Sequence, residues 1–212
     1  MVLPKEVKTQ VIRINKKRPE PNKIDAACNI LRSGGLVAFP TETVYGLAAV
    51  YDNKEAIDKL YKVKRRPRNK PLTVHISKVD DIEAFECNIP FLIGKLIDKF
   101  WPGPLTIVLG LKKKKGTLAF RLPENPIAKE LIDRTGRPIV APSANISGRR
   151  APRSARDVLK ELDGKIEAVL DGGKTKIGTA STIIDATNFP YKILRKGAIS
   201  QNDISGICSK GL

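Results

Sequence analysis

The sequence predicts an α/β fold, a twisted mixed parallel and antiparallel sheet flanked by helices. Three observations predict it. Short apolar runs of strand type alternate along the chain with longer segments of helical apolar spacing. The runs are many and brief, which leaves room for antiparallel pairs beside parallel ones. No linker, internal repeat or low-complexity tract divides the 212 residues, so a single domain over 1–212 is expected.

The elements follow in order. Residues 11–14 read as a short strand. Asn22 is placed to cap a helix whose Ile24, Ala27, Cys28 and Leu31 fall at helical spacing, ended by Gly34 and Gly35. Residues 36–39 form a buried strand stopped by Pro40. Asn53 opens a second helix with Ala56, Ile57, Leu60 and Tyr61 inward. Residues 72–76 are a strand and residues 89–100 a helix, broken by Trp101-Pro102-Gly103-Pro104. Residues 105–109 and 118–121 read as strands joined by the lysine run 112–115. Asn125 and Pro126 are a cap and a first-turn proline for a helix that Gly136 closes. Residues 138–141 are another buried strand. Ser154 with Asp157 resembles a capping box for a helix ending at Gly164. Residues 166–170, 182–185 and 192–194 supply further strands, and Ser200 caps a last short helix.

Composition narrows the class. An apolar share of 41% supports a core, and no run of about 18 apolar residues exists to span a membrane. The first six residues lack the apolar stretch of a secretory signal, so the cytoplasm is the expected location. Cys28, Cys87 and Cys208 are far apart, and His75 stands alone, which speaks against a zinc cluster. The net charge of +17 attracts polyanions such as nucleotides or RNA without specifying a fold.

Four local patterns bear on chemistry. Asp171-Gly172-Gly173-Lys174-Thr175 ends like a phosphate loop, but that motif needs a glycine where Ala168 stands, and no periodic helix follows; a glycine turn is expected. Residues 62–70 hold six cations, and Pro67 stops their helix just before a buried strand, so Lys64 and Arg66 are held in a connection beside the sheet. Pro40-Thr41-Glu42-Thr43 and Pro142-Ser143-Ala144-Asn145 each leave an apolar strand. Ligands of α/β sheets collect beyond strand ends, so these turns together mark an anion-binding cleft. His75, within a strand, divides evenly between a hydrogen-bonded core histidine and a site residue. Trp101 is expected in the core, and the lysine run 112–115 at a hairpin tip.

The same segments carry a family resemblance. Pro40-Thr41-Glu42-Thr43-Val44-Tyr45-Gly46-Leu47, Lys64-Arg65-Arg66-Pro67, Trp101-Pro102-Gly103-Pro104-Leu105-Thr106 and Pro142-Ser143-Ala144-Asn145-Ile146-Ser147-Gly148 resemble the Sua5/YciO/YrdC/TsaC family. Ser181-Thr182-Ile183 and Leu194-Arg195 fit its late motifs. The likeness runs from about Val11 to Gly197, leaving 198–212 as an extension, and the shorter single-domain YrdC/TsaC form is expected.

The resemblance implies a mixed sheet around a positively charged cavity and threonylcarbamoyl-AMP synthase activity. L-threonine, bicarbonate and ATP, with Mg2+, would give the adenylate and pyrophosphate as the first step of tRNA t6A modification. The product would pass to a threonylcarbamoyl-transferase machinery. By motif, Lys64, Arg66, Ser143 and Asn145 would hold ATP with Thr117 and Arg195, with Lys64 and Arg66 at the reacting phosphates. Thr41, His75, Arg121, Ser181 and the Ala141 backbone would surround threonine, with Arg121 on its carboxylate. Ala151 stands where many members carry serine. The alternatives are a non-catalytic binder of tRNA or double-stranded RNA, and a paralogous carbamoyl-adenylate enzyme.

Overall fold

A computed structural model describes residues 7–113 and 115–208. Its strands are β1 (Gln10–Arg13), β2 (Val37–Pro40), β3 (Tyr45–Val50), β4 (Thr73–His75), β5 (Leu105–Gly110), β6 (Thr117–Arg121), β7 (Ile139–Val140), β8 (Ala168–Asp171), β9 (Thr182–Asp185) and β10 (Lys192–Arg195). The helices are α1 (Pro21–Arg32), α2 (Lys54–Lys64), α3 (Phe91–Phe100), α4 (Pro126–Thr135), α5 (Ala155–Leu162) and α6 (Gln201–Cys208). The strands join in the order β1-β8-β2-β3-β7-β4-β6-β5-β9-β10. Parallel pairs (β1 with β8, β8 with β2, β4 with β6, β5 with β9) mix with antiparallel ones. The expected mixed α/β sheet is therefore what forms.

Side-chain alternation divides the core in two. Along β3, Tyr45, Leu47 and Ala49 enter one apolar cluster while Ala48 and Val50 enter the other. Helices α1 and α4 cover the second cluster through Ile24, Ala27, Leu31, Ile127, Ala128 and Leu131. Period-two alternation of a strand buried on both faces produces this two-sided core.

Two expectations need correction. The sequence reading places no element over Tyr45–Val50, yet this is a central strand with every residue buried. A short run apolar on both faces has no alternation to betray it, and small residues such as Gly46, Ala48 and Ala49 weaken its strand signature. Asn22 is not a cap: Pro21 takes the first helical position and Glu20 the cap. The fixed φ of proline suits that position, and Glu20 instead binds Asn15 N and Lys23. A 3-10 helix, Val79–Phe85, adds an element that the apolar periodicity does not predict.

Other boundaries hold. Asn53, Asn125, Ser154 and Ser200 each accept a backbone N–H at their helix N-terminus, and Gly136 closes α4 with φ of 66°. Cys28, Cys87 and Trp101 are buried, and Trp101 Nε1 donates to Leu105 O at 2.7 Å. Strands β5 and β6 form the hairpin expected around the lysine run, of which Lys114 lies outside the described residues. The first six residues lie outside them too, and nothing is described of the Cys208 side chain. Among the described residues no helix is long and apolar enough to cross a membrane.

Candidate active site

The turn after β2 folds on its own hydroxyls. Thr41 Oγ1 accepts from Thr43 N and Val44 N and donates to Val44 O at 2.7 Å. With its one proton so committed, Thr41 must accept from Thr43 Oγ1, 2.8 Å away. Thr43 Oγ1 accepts in turn from Arg121 Nη2 at 2.7 Å. The hydroxyl chain therefore runs from guanidinium to backbone with a single direction. Glu42, between the two threonines, is buried and accepts from Arg121 Nη2 at 2.5 Å through Oε1, and from Glu124 N through Oε2.

Arg121 ends β6 directly beside His75 at the end of β4. His75 is 2% exposed, lies edge-on to Phe39, and donates from Nδ1 to Thr73 O at 3.3 Å. A carbonyl only accepts, so the proton sits on Nδ1 and Nε2 is the free acceptor. Burial, aided by the charge of Arg121, pushes the imidazole down to about 3, which keeps it neutral near pH 7.

Strands β5 and β9 bring up Thr106 and the residue preceding β9, Ser181. Their hydroxyls are 2.7 Å apart. Arg195 on β10 donates from Nε and Nη2 to Ser181 O, and from Nη2 to Ser181 Oγ at 2.9 Å. Burial lowers the Arg195 pKa, with Arg121 and Arg66 adding to the effect. Burial likewise lowers that of Arg66. Arg66 ties its own turn together by donating to Lys70 O and Pro71 O.

The loop after β7 completes the wall. Leu47 N donates to Pro142 O, Ala144 N to Tyr45 O, and Ser143 bridges Gly46, so β3 holds the loop in an extended register. Lys64, 1% exposed, sits beneath it. Its Nζ donates to Ser143 O and, at 2.6 Å, to Asn145 O, while its own carbonyl accepts from Ser147 N. Burial, and secondarily Arg66, pulls the Lys64 ammonium down to about 7, against an opposing pull from Glu161. Asn145 donates to Ile146 O and Arg149 O, and its buried Oδ1 has no hydrogen-bond partner.

These pieces enclose a cavity of about 190 Å³. Thr41, Arg66, His75, Arg121, Ala141, Ser143, Ser181 and Arg195 all line it, although they come from segments up to 154 positions apart in number between Thr41 and Arg195. No carboxylate is among its lining residues. Lys64 and Asn145 lie behind this wall rather than on it. Thr117 is not brought to it: it is exposed at the opposite end of β6, paired with Gly110. Sequence reasoning gave no individual role to Glu42, Thr43 or Thr106, and the signal available was their place in the quoted motifs. A roomier cavity of about 310 Å³ lies on the other side of His75, between Lys78 and Arg137, and contains no other candidate residue.

The Asp171–Thr175 stretch is a glycine turn. Asp171 Oδ1 accepts from Gly173 N, Tyr45 Oη donates to Gly173 O, and no helix follows.

Comparison with known proteins adds kinship to geometry. A family model covering Sua5, YciO and YrdC, described as "Telomere recombination", matches residues 29–197. A threonylcarbamoyl-AMP synthase of Pyrococcus abyssi is 42% identical over 200 residues, 91% of this chain and 59% of its own length. A putative threonylcarbamoyl-AMP synthase of Methanocaldococcus jannaschii is 35% identical, over 91% of this chain and 95% of its own length. The crystal structure of P. abyssi Sua5 complexed with L-threonine superposes with a TM-score of 0.89 at 42% identity, over 94% of this chain and 61% of that one. The chain thus spans about three fifths of the length of the P. abyssi relative.

Proposed function

The chain belongs to the Sua5/YciO/YrdC family, and on that premise we propose that it is a threonylcarbamoyl-AMP synthase. It would condense L-threonine, bicarbonate and ATP into the adenylate and pyrophosphate. The observation that carries the proposal is the convergence of Arg66, Arg121 and Arg195 with Thr41, His75, Ser143 and Ser181 on one cavity without a lining carboxylate.

The geometry supports a division of labour. Arg121 uses Nε and Nη2 on Gly103 O, Glu42 and Thr43, which leaves the donors of Nη1 for the threonine carboxylate. Neutral His75 offers Nε2 as an acceptor to the substrate's amine or hydroxyl. Arg66 and Arg195 hold the phosphates, and Ser143 fixes the nucleotide from the opposite wall. Lys64 supports that wall through two carbonyls, and approaching phosphates favour proton uptake from solvent by its neutral amine.

In the reaction the threonine amine attacks the carbon of CO2 and loses a proton, or that of bicarbonate with release of water, to give a carbamate. A carbamate oxygen then attacks the α-phosphorus, the bond to the bridging oxygen breaks, and its electron pair leaves on pyrophosphate. Negative charge grows on the phosphoryl oxygens and the leaving group, where fixed cations stabilise it. Positioning accounts for much of the remaining acceleration, and burial protects the labile adenylate from water. No covalent nucleophile is needed. Mg2+ would add charge neutralisation on the phosphates. The described residues contain no cluster of three acidic, His or Cys groups. The product would be consumed by a class of enzyme that transfers the threonylcarbamoyl group to a tRNA adenosine.

The test is pyrophosphate release from ATP and bicarbonate, with and without L-threonine. Release that requires threonine supports the proposal, and release indifferent to it overturns it.

A further inference from the structure

Three arginines line one cavity, yet their partners differ in charge. Arg66 donates to the neutral carbonyls of Lys70 and Pro71, and Arg195 to the carbonyl and hydroxyl of Ser181. Arg121 alone of the three has a carboxylate partner among the described residues. That partner, Glu42, is 3% exposed and does not line the cavity. Both its oxygens are fixed, one by Arg121 and the other by Glu124 N, while its carbonyl accepts from Ile177 N. With both carboxylate oxygens and its backbone carbonyl held, Glu42 is anchored against swinging away when a ligand enters.

We propose that Glu42 is the positioning residue that sorts the two substrates within the cavity. It gives the Arg121 end to an amino-acid carboxylate and leaves polyphosphate to Arg66 and Arg195. This inference rests on the threonine-and-ATP reading above.

Two effects separate the substrates. First, Glu42 and Thr43 share Arg121 Nη2, so the guanidinium plane is fixed and Nη1 is presented in one orientation. Second, the negative charge behind Arg121 cancels most of its field. A polyphosphate gains little there and is repelled by Glu42, because buried charges interact strongly. An amino acid loses far less: its single carboxylate is satisfied by directed hydrogen bonds, and its ammonium tolerates a nearby acid. Without Glu42, three unopposed arginines would let a polyphosphate spread into the threonine end.

Glu42→Gln removes the charge at nearly constant volume. Its amide can accept with one atom only, so either Arg121 or Glu124 N loses its partner. The expected result is a KM for threonine raised about tenfold or more, with the KM for ATP within about twofold, as fits loss of a charge-assisted contact at one end only. Inorganic pyrophosphate should also become a competitor of threonine in the variant, whereas in the wild type it competes with ATP alone. A purely structural role for Glu42 would not create that competition. Thermal melting checks that the variant folds. Should it not fold, Thr43→Val provides the second arm: it removes one tether of Arg121 but keeps the charge. Threonine KM should then rise while pyrophosphate still fails to compete with threonine.

An unchanged threonine KM in either folded variant, or equal rises in both KM values, overturns the sorting role while leaving the synthase reading intact. A wild type that releases no pyrophosphate in response to threonine overturns both.

Discussion

Lys64 Nζ donates to the carbonyl of Asn145 at 2.6 Å, joining the end of α2 to a loop 81 positions later. The lysine is thereby buried under the wall of the cavity rather than displayed on it.

The proton consequence of this burial is measurable. Unliganded Lys64 titrates near 7, so at about pH 8.5 it is mostly neutral. Bound phosphates favour its charged form and raise its pKa, which draws in up to about one proton at that pH. At about pH 6 the lysine is already protonated and uptake falls toward zero. Calorimetry with a non-hydrolysable ATP analogue, in buffers of different ionisation enthalpy, should show the excess uptake at the higher pH. Lys64→Met should lack it. Equal uptake in both proteins would mean that Lys64 does not sense the nucleotide.

His75 makes stability sensitive to acid. Its folded pKa of about 3 lies below the unfolded value near 6.5, so between those limits the unfolded chain binds more protons. Stability from this group is therefore full above about pH 6.5 and falls as pH drops toward 3, by at most about 5 kcal/mol. Urea unfolding across this range should give a shallower decline for His75→Gln than for the wild type. Parallel declines would show that His75 is not the group responsible.

Gly197 packs against the backbone of Ala180 and Ser181, both of which line the cavity. A Cβ there would lie 2.4 Å from both Ala180 O and Ser181 C, which are backbone atoms that cannot rotate away. Gly197→Ala should cost about 1–3 kcal/mol, as overpacking does, and weaken threonine binding by displacing Ser181. Gly94 in α3 is the control, since a Cβ there meets nothing within 4 Å. Gly94→Ala should leave melting unchanged or raise stability by up to about 1 kcal/mol. Calorimetric melting of both variants checks the contrast.

Much of this fold is legible because its signals are local. Asn125, Pro126 and Gly136 bound α4 by cap chemistry within a turn at each end. Tyr45–Val50 escaped because burial on both faces erases alternation, the one cue a short strand offers. At the site, the polar turns after β2 and β7 are legible in sequence, and both contribute residues to the one cavity. What each side chain does there depends on partners far away in sequence. Glu42 and Arg121 are 79 positions apart, as are Lys64 and Ser143, and no local pattern encodes either contact. Thr117 illustrates the converse: motif position suggested a site residue, while the β5–β6 register carries it to the other end of the strand.

The most direct test of the account is threonine-dependent pyrophosphate release by the wild type and by Arg66→Ala, with melting measured on both. Arg66 lines the cavity and its backbone tethers are confined to its own turn, so its loss should spare the fold. Release should require both threonine and bicarbonate, and should fall about a hundredfold or more in the folded variant, the scale expected for removing a donor from a developing anion. Undiminished release by a folded Arg66→Ala would place the chemistry outside this cavity and contradict the account.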